Sequence, residues 1–307
     1  MTVDLELQVV AEELLFPEGP IVMADGSIIL VEIKRQTLSR VAPDGRVEVI
    51  AHLGGGPNGA AIGPDGAVYV CNNGGFTWRD VGGALIPGHK PDDYVGGSIQ
   101  RVDLKSGAVE VVYNRCGDDP LLGPNDLVFD KTGGFWFSDH GKTTARHREH
   151  GALYYARPDG THIVKAHGEL LGPNGVGLSP DEDVLYMAET PTGRLWAFDT
   201  DGPGVLKPGP APWLPGRVVC TLPGFQLLDS LAVEAGGQVC VGTLVNGGVT
   251  VFDLDGAATH YPFPDLAITN ICFGGADMRD AWATGSSSGK LYKLRWPRPG
   301  LRLNFNA

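Results

Sequence analysis

A short unit returns six times along the chain: a carboxylate or amide residue, a brief apolar strand, a Gly/Asp turn and a second strand. Its clearest copy is Gly172-Pro173-Asn174-Gly175-Val176-Gly177-Leu178-Ser179-Pro180-Asp181, followed by Val184-Leu185-Tyr186-Met187-Ala188-Glu189. The others are led by Pro17-Glu18-Gly19, Pro57-Asn58-Gly59, Pro124-Asn125-Asp126, Leu228-Asp229-Ser230 and Thr269-Asn270-Ile271. The polar positions Glu18, Asn58, Asn125, Asn174, Asp229 and Asn270 are 40, 67, 49, 55 and 41 residues apart. Repetition on that scale, with strands inside each unit, is the mark of a β-propeller. Equivalent residues of repeats set around an axis take equivalent places around it, so these six should form one ring.

Each repeat carries a second hairpin. Leu38-Ser39-Arg40-Val41 turns at Pro43-Asp44-Gly45 into Val47-Glu48-Val49-Ile50, and Gly151-Ala152-Leu153-Tyr154-Tyr155 turns at Pro158-Asp159-Gly160 into His162-Ile163-Val164. Alternating runs bounded by Asp-Gly steps read as antiparallel hairpins. The chain is therefore expected to be an all-β, six-bladed β-propeller of four-stranded antiparallel blades, a single domain over residues 1–307. The last repeat lacks material for a fourth strand, while Leu5-Glu6-Leu7-Gln8-Val9-Val10 is a strand without a blade. This N-terminal strand is expected to close the ring as the outer strand of the last blade.

The 45 glycines and 23 prolines fall at periodic strand ends, where they serve turns. A formal charge of −12 repels the phosphates of nucleic acid and anionic membrane surfaces but suits a cation-binding protein. Met1-Thr2-Val3-Asp4-Leu5-Glu6 has neither a basic start nor an apolar core, and no apolar run approaches a membrane span, so a cytoplasmic location is expected. Five cysteines without metal-type spacing are expected to be free thiols, with Cys71, Cys240 and Cys272 acting as small buried hydrophobes.

In an up-and-down blade, the entry to the inner strand and the link between the second and third strands lie on one face. Two of those links are long: Asn72 to Gly97, containing Phe76, Trp78, Arg79, His89, Asp92, Asp93 and Tyr94, and His140 to His150. Long loops in compact folds commonly carry binding functions, which makes Asn73, Trp78 and His140 candidate substrate contacts. His147 and His150, with Lys142, Arg146, Arg148 and Glu149 around them, read as exposed loop. The Pro203 to Pro223 stretch reads as a surface excursion, and Trp136, Trp196 and Trp282 as packing between blades.

Asn and Asp beside Pro and Gly also make good turns, so turn formation alone accounts for part of the ring pattern. Two carboxylates with amide oxygens and water, however, make a charge-matched site for Ca²⁺, Mg²⁺, Mn²⁺ or catalytic Zn²⁺. The residues do not choose among these ions.

The ordered set Phe16-Pro17-Glu18-Gly19-Pro20, Gly123-Pro124-Asn125-Asp126, Gly172-Pro173-Asn174-Gly175, Leu228-Asp229-Ser230 and Thr269-Asn270-Ile271-Cys272-Phe273-Gly274-Gly275-Ala276-Asp277 resembles the SMP-30/gluconolactonase/LRE family. The resemblance spans about Leu14 to Leu294. It implies a propeller holding one divalent metal ion in its central channel and hydrolysing sugar lactones. By the same resemblance Glu18, Asn174 and Asp229 are metal ligands, Asn125 faces the metal or its substrate, and Asp229 doubles as the catalytic base. Asn58 and Asn270 inherit no ligand role. Asn72 to Gly97 does not align with the family's sugar-contacting residues, so the substrate is expected to be a small lactone or other ester of open identity. A different ester or phosphotriester, a lyase step, or cation binding without catalysis are the alternatives on the same scaffold.

Overall fold

Runs such as Ile28-Ile29-Leu30-Val31 and Val239-Cys240-Val241 are too short and too β-branched for helices, and Asp-Gly steps fold them into hairpins. In the first of these turns Asp25 Oδ1 accepts from Ser27 N at 2.9 Å, while Gly26 takes a φ of 79°. In the computed structural model, which describes residues 5–305, this chemistry yields six four-stranded antiparallel sheets. Met1 to Asp4, part of the stretch read above for a leader, lie outside the described residues.

The innermost strands of the blades are Pro17–Val22, Pro57–Ile62, Pro124–Phe129, Pro173–Leu178, Leu227–Val233 and Ile268–Gly274. Each touches the next, and the sixth touches the first, so the ring is closed. The expected six-bladed propeller is what the chain forms. Among the described residues there is no α-helix, only one 3₁₀ turn at Thr190–Thr192, and so no helix long and apolar enough to cross a membrane.

The closing strand is Gln8–Ala11, paired antiparallel with Lys290–Arg295 at the outer edge of the sixth blade. A packing detail shows that it replaces an ordinary outer strand. The hairpin glycines Gly107 and Gly256 lie so close to Ile50 O and Val219 O, in the outer strands of the preceding blades, that a Cβ would overlap them. Gly45 of the first blade meets Val10 O in the same way.

The core lies in the seams between blades rather than at one centre. Leu38, Val31, Val68, Val70 and Val102 fill the seam between blades one and two, and Ala11, Leu30, Val41, Trp282 and Leu291 fill the closing seam. Trp136 and Trp196 pack in the seam between blades three and four, as their strand positions imply. Burying such side chains is worth about 1.5–3 kcal/mol each, spread evenly around the circle.

Two expectations are revised. Pro203 to Pro223 is not all excursion, because Arg217–Thr221 within it is the fourth blade's outer strand. Cys272 is only partly buried: it faces the central channel, where the sequence suggested a fully enclosed strand residue. All five cysteines are free.

Candidate active site at the ring

The register of every inner strand slips at its ring residue. The irregularities fall between Glu18 and Ile21, Pro57 and Ala60, Pro124 and Leu127, Pro173 and Val176, Leu228 and Leu231, and Ile268 and Asn270. A bulge leaves a residue out of the ladder and re-aims its side chain. Six bulges at equivalent positions gather side chains that ordinary pleating would send into the seams. Small neighbours let the strands approach: a Cβ on Gly59 would strike Asp126, and one on Gly175 would strike Ser230 and Leu231.

The ring is dense in oxygen. Glu18 is 1% exposed, with Oε2 accepting from Asn270 Nδ2 at 2.9 Å and from Gly19 N at 2.5 Å. Asn174 is held by donating from Nδ2 to Thr190 Oγ1 at 3.1 Å, and its Oδ1 accepts from Ser230 Oγ at 3.4 Å. Asn58, Asn125 and Asn270 are buried, whereas Asp229 keeps some surface open to solvent. Two buried oxygens, Glu18 Oε1 and Asn125 Oδ1, have no hydrogen-bond partner.

Burial and mutual repulsion raise the carboxyl groups together. Desolvation lifts Asp229 well above the usual carboxylate range and the Glu18 charge adds to it, while a hydrogen bond involving Asn174 opposes the shift. Glu18 is raised by burial against its bonds to Asn270 and Gly19. Asp126, 6% exposed and beside Asn125, is pushed up to about 8 by burial and then by Glu18. Asp126 is a carboxylate that the repeat alignment passed over, because it occupies the position filled by Gly59 and Gly175 in other copies. The signal was present in Pro124-Asn125-Asp126 as a departure from Pro-Asn-Gly.

The donors fit a hard cation: charged and neutral oxygens, two of them orphaned, and carboxylates whose repulsion a positive ion relieves. Among the described residues no three His, Cys, Asp or Glu side chains are grouped to hold a metal, so amide oxygens must complete any such site.

The long loops lie over the same face. Residues 74–97 contain a hairpin, Trp78–Val81 with Ala84–Pro87, that reaches Ser287 of the sixth blade through Leu85 N, and the loop after it reaches Thr143 of the third through Lys90 N. Trp78 packs on Phe16, two residues before Glu18, with ring centroids 5.1 Å apart. Asn73 is 2% exposed; its Oδ1 accepts from Gly75 N at 2.8 Å and Lys142 Nζ at 3.3 Å, and its Nδ2 is without a partner. His140 accepts at Nε2 from Arg148 Nη2 at 3.0 Å. Burial, then Arg148 and Lys142, lower its pKa to about 3, which favours the neutral ring. His147 and His150 are exposed, as expected.

Lys142 overturns its reading as a loop-surface residue. It is 3% exposed, donates to Gly75 O at 2.8 Å, and lies 4.4 Å from the Phe76 ring centre and 5.4 Å from that of Tyr94. The aromatic residues that bury it arrive from the other long loop, about which local polarity carries no information.

A closed six-bladed propeller with a bulged ring of carboxylates and amides at one mouth is a recognisable class of site-bearing scaffold. The SMP-30/Gluconolactonase/LRE-like region matches residues 16–287, and the chain belongs to that family. It is 25% identical over 309 residues to the gluconolactonase of Zymomonas mobilis subsp. mobilis, covering 89% of this chain and 77% of that one. It is 29% identical over 242 residues to lactonase drp35 of Staphylococcus saprophyticus subsp. saprophyticus, covering 78% and 67% respectively. Among solved structures, a calcium-binding protein, regucalcin, from Agrobacterium tumefaciens superposes with a TM-score of 0.73 at 20% identity, over 99% of this chain and all of that one.

Proposed function

We propose that the protein is a lactonase that opens a sugar lactone or another cyclic ester with the help of one divalent cation. The carrying observation is that Glu18, Asn174 and Asp229 stand at equivalent bulges of three inner strands, with Glu18 Oε1 and Asn125 Oδ1 left unpaired. Family membership and the lactonase relatives support the reaction class. Glu18, Asn174, Asp229 and Asn125 would hold the ion; the calcium-binding structural relative makes Ca²⁺ the first choice, with Zn²⁺, Mn²⁺ and Mg²⁺ to be compared. A cation bound there supplies Lewis-acid polarisation of the ester carbonyl and acidifies water.

The chain's own residues supply the rest. Asp229, the ring carboxylate with open surface, takes the proton of the attacking water and returns it to the ring oxygen as the C–O bond breaks, a role worth roughly 10²- to 10⁴-fold. Asn174, fixed by Thr190 and Ser230, stands beside Asp229 and favours its charged form. Asn125, Asn73, Trp78 and His140 bind substrate, His140 as a neutral ring.

The test is chelation, readdition of single cations, and acid release from sugar, aliphatic and aromatic lactones by wild type and Asp229→Asn. Cation-restored release, lost in a variant that still binds the ion, is expected. Turnover indifferent to chelator, or full turnover by Asp229→Asn, overturns the proposal.

A further inference from the structure

Three ring residues follow a Gly-Pro step: Gly56-Pro57-Asn58, Gly123-Pro124-Asn125 and Gly172-Pro173-Asn174. In each, a loop of the ring's face occupies the space a side chain would need. A Cβ on Gly56 would strike Asn73 and Gly75, and one on Gly123 would strike Gly141 O. A Cβ on Gly172 would strike the Arg148 guanidinium and the His140 ring. Gly172 also has a φ of 61°, so the residue is required twice over. The outcome is a guanidinium seated two residues from Asn174, where the other copies seat backbone or a neutral amide.

That guanidinium feels one acidic neighbour, Glu189, but forms no ion pair with it. Its described hydrogen bond goes to neutral His140, and it forms no ion pair among the described residues. The nearby Glu189 carboxylate is engaged by Thr192 Oγ1 at 2.7 Å and by Arg194 at 3.9 Å. Its surroundings add positive charge: the 140–150 loop carries Lys142, Arg146 and Arg148 against Glu149, in a chain of net charge −12. Of these, Lys142 is buried under the other long loop, so Arg146 and Arg148 are the cations this loop shows to solvent. Arginine's planar fork matches a carboxylate, and Arg148 is exposed, with His140 as its one side-chain partner among the described residues.

We propose that Arg148, held by His140 over Gly172, is a specificity residue that receives a carboxylate carried by the substrate away from the ester. The preferred substrates are therefore lactones of dicarboxylic sugar acids or similar acidic lactones. This rests on the lactonase reading above.

The experiment uses a matched pair: the lactone of an aldaric acid, whose far end is a carboxylate, and that of the corresponding aldonic acid, whose far end is CH₂OH. Wild type is expected to favour the acidic lactone in kcat/KM. Arg148→Met is expected to lower the acidic-to-neutral ratio about tenfold or more, the scale of a charge-assisted hydrogen bond. Arg148→Lys, which keeps the charge without the fork, is expected to fall between. Calorimetry with the open-chain aldarate, against aldonate as control, reads the same contact without turnover. If neither lactone is hydrolysed but aldarate binding still depends on Arg148, the reaction class fails and the subsite stands. A wild-type ratio that favours the neutral lactone, a ratio unmoved by Arg148→Met in a folded variant, or preference for a 6-phosphorylated aldonolactone over the aldarolactone overturns the inference.

Discussion

Glu18 and Asp229 are the two carboxylates among the six ring positions, and their surroundings separate their roles. Glu18 is sealed, with one oxygen tied to Asn270 and Gly19 and the other unpaired, as suits a fixed ligand. Asp229 is partly exposed, which leaves its carboxylate within reach of water. A sealed charge without its cation costs stability, since desolvation is not repaid by a partner. Glu18→Gln is therefore expected to leave the chelated protein as stable as wild type or more so, and to abolish most of the gain on adding cation. For wild type that gain is about 2.7 kcal/mol at a cation concentration 100 times Kd. Thermal unfolding with and without Ca²⁺ measures both effects, and a Glu18→Gln protein stabilised by Ca²⁺ as much as wild type would remove Glu18 from the ligand set. Repetition made the six ring positions legible, and only the family resemblance singled out Glu18, Asn174 and Asp229 among them. Asp126 and Lys142 were not, because what distinguishes them is burial by strands and loops remote in sequence.

The loop of residues 74–97 is the element that most sets this ring apart from a bare propeller mouth. Its anchor is Lys142, whose ammonium is held by Gly75 O, the Asn73 amide and the Phe76 and Tyr94 rings. Asp139, the nearest source of negative charge, spends its oxygens on Leu122, Gly123 and Gly141 N–H groups. Burial accordingly lowers the Lys142 pKa to about 7, with Asp139 only partly opposing it. An unfolded lysine keeps its proton up to its ordinary pKa, about 10.4, so between these values the unfolded chain binds more protons than the folded one. Stability contributed by this site must then rise with pH across that window, by at most about 1.4 kcal/mol per unit, and the buried ammonium is a full burden below it. Lys142→Met is expected to remove that rise. Denaturant unfolding at pH 6.5, 8 and 9.5 checks it, a wild-type minus variant difference constant with pH being the contrary result. The variant also leaves Asn73 Oδ1 with one donor, so KM is expected to rise more than kcat falls.

At the scale of the whole molecule, a ring of blades has two mouths, and the chain after the last blade closes one of them. Trp296 donates to Glu234 Oε1 at 2.7 Å, and Arg298 pairs with the same wholly buried carboxylate, which fastens the segment beneath the fifth blade. Gly300 N and Leu301 N then bond to Met278 O and Val233 O, and Asn304 Nδ2 reaches Phe129 O at 3.2 Å. Leu301, Leu303 and Phe305 thereby floor a chamber of about 110 Å³ walled by Ile21, Phe129 and Phe273. Above this chamber stand Asp126 and Asn270, so the strap gives the ring an apolar base and leaves the loop-covered face as the way in. The repeat pattern foretold closure by the N-terminal strand but not this second closure, since Leu301, Leu303 and Phe305 alternate over only five residues outside any repeat. Cys272 reports on it. Its thiol lines the chamber and burial holds its pKa far above the ordinary range, which suppresses the thiolate that alkylating agents need. Removing Gly300 to Ala307, which keeps the Arg298 to Glu234 pair, is expected to let water in and raise the iodoacetamide labelling rate of Cys272 by about tenfold or more, the change produced by one unit of pKa. The measurement is made with Cys116 and Cys220, the other partly exposed thiols, replaced by serine. Labelling unchanged by the truncation, in a protein whose far-UV spectrum is retained, would mean that the chamber is sealed by the inner strands themselves and that the strap only buttresses the fifth and sixth blades.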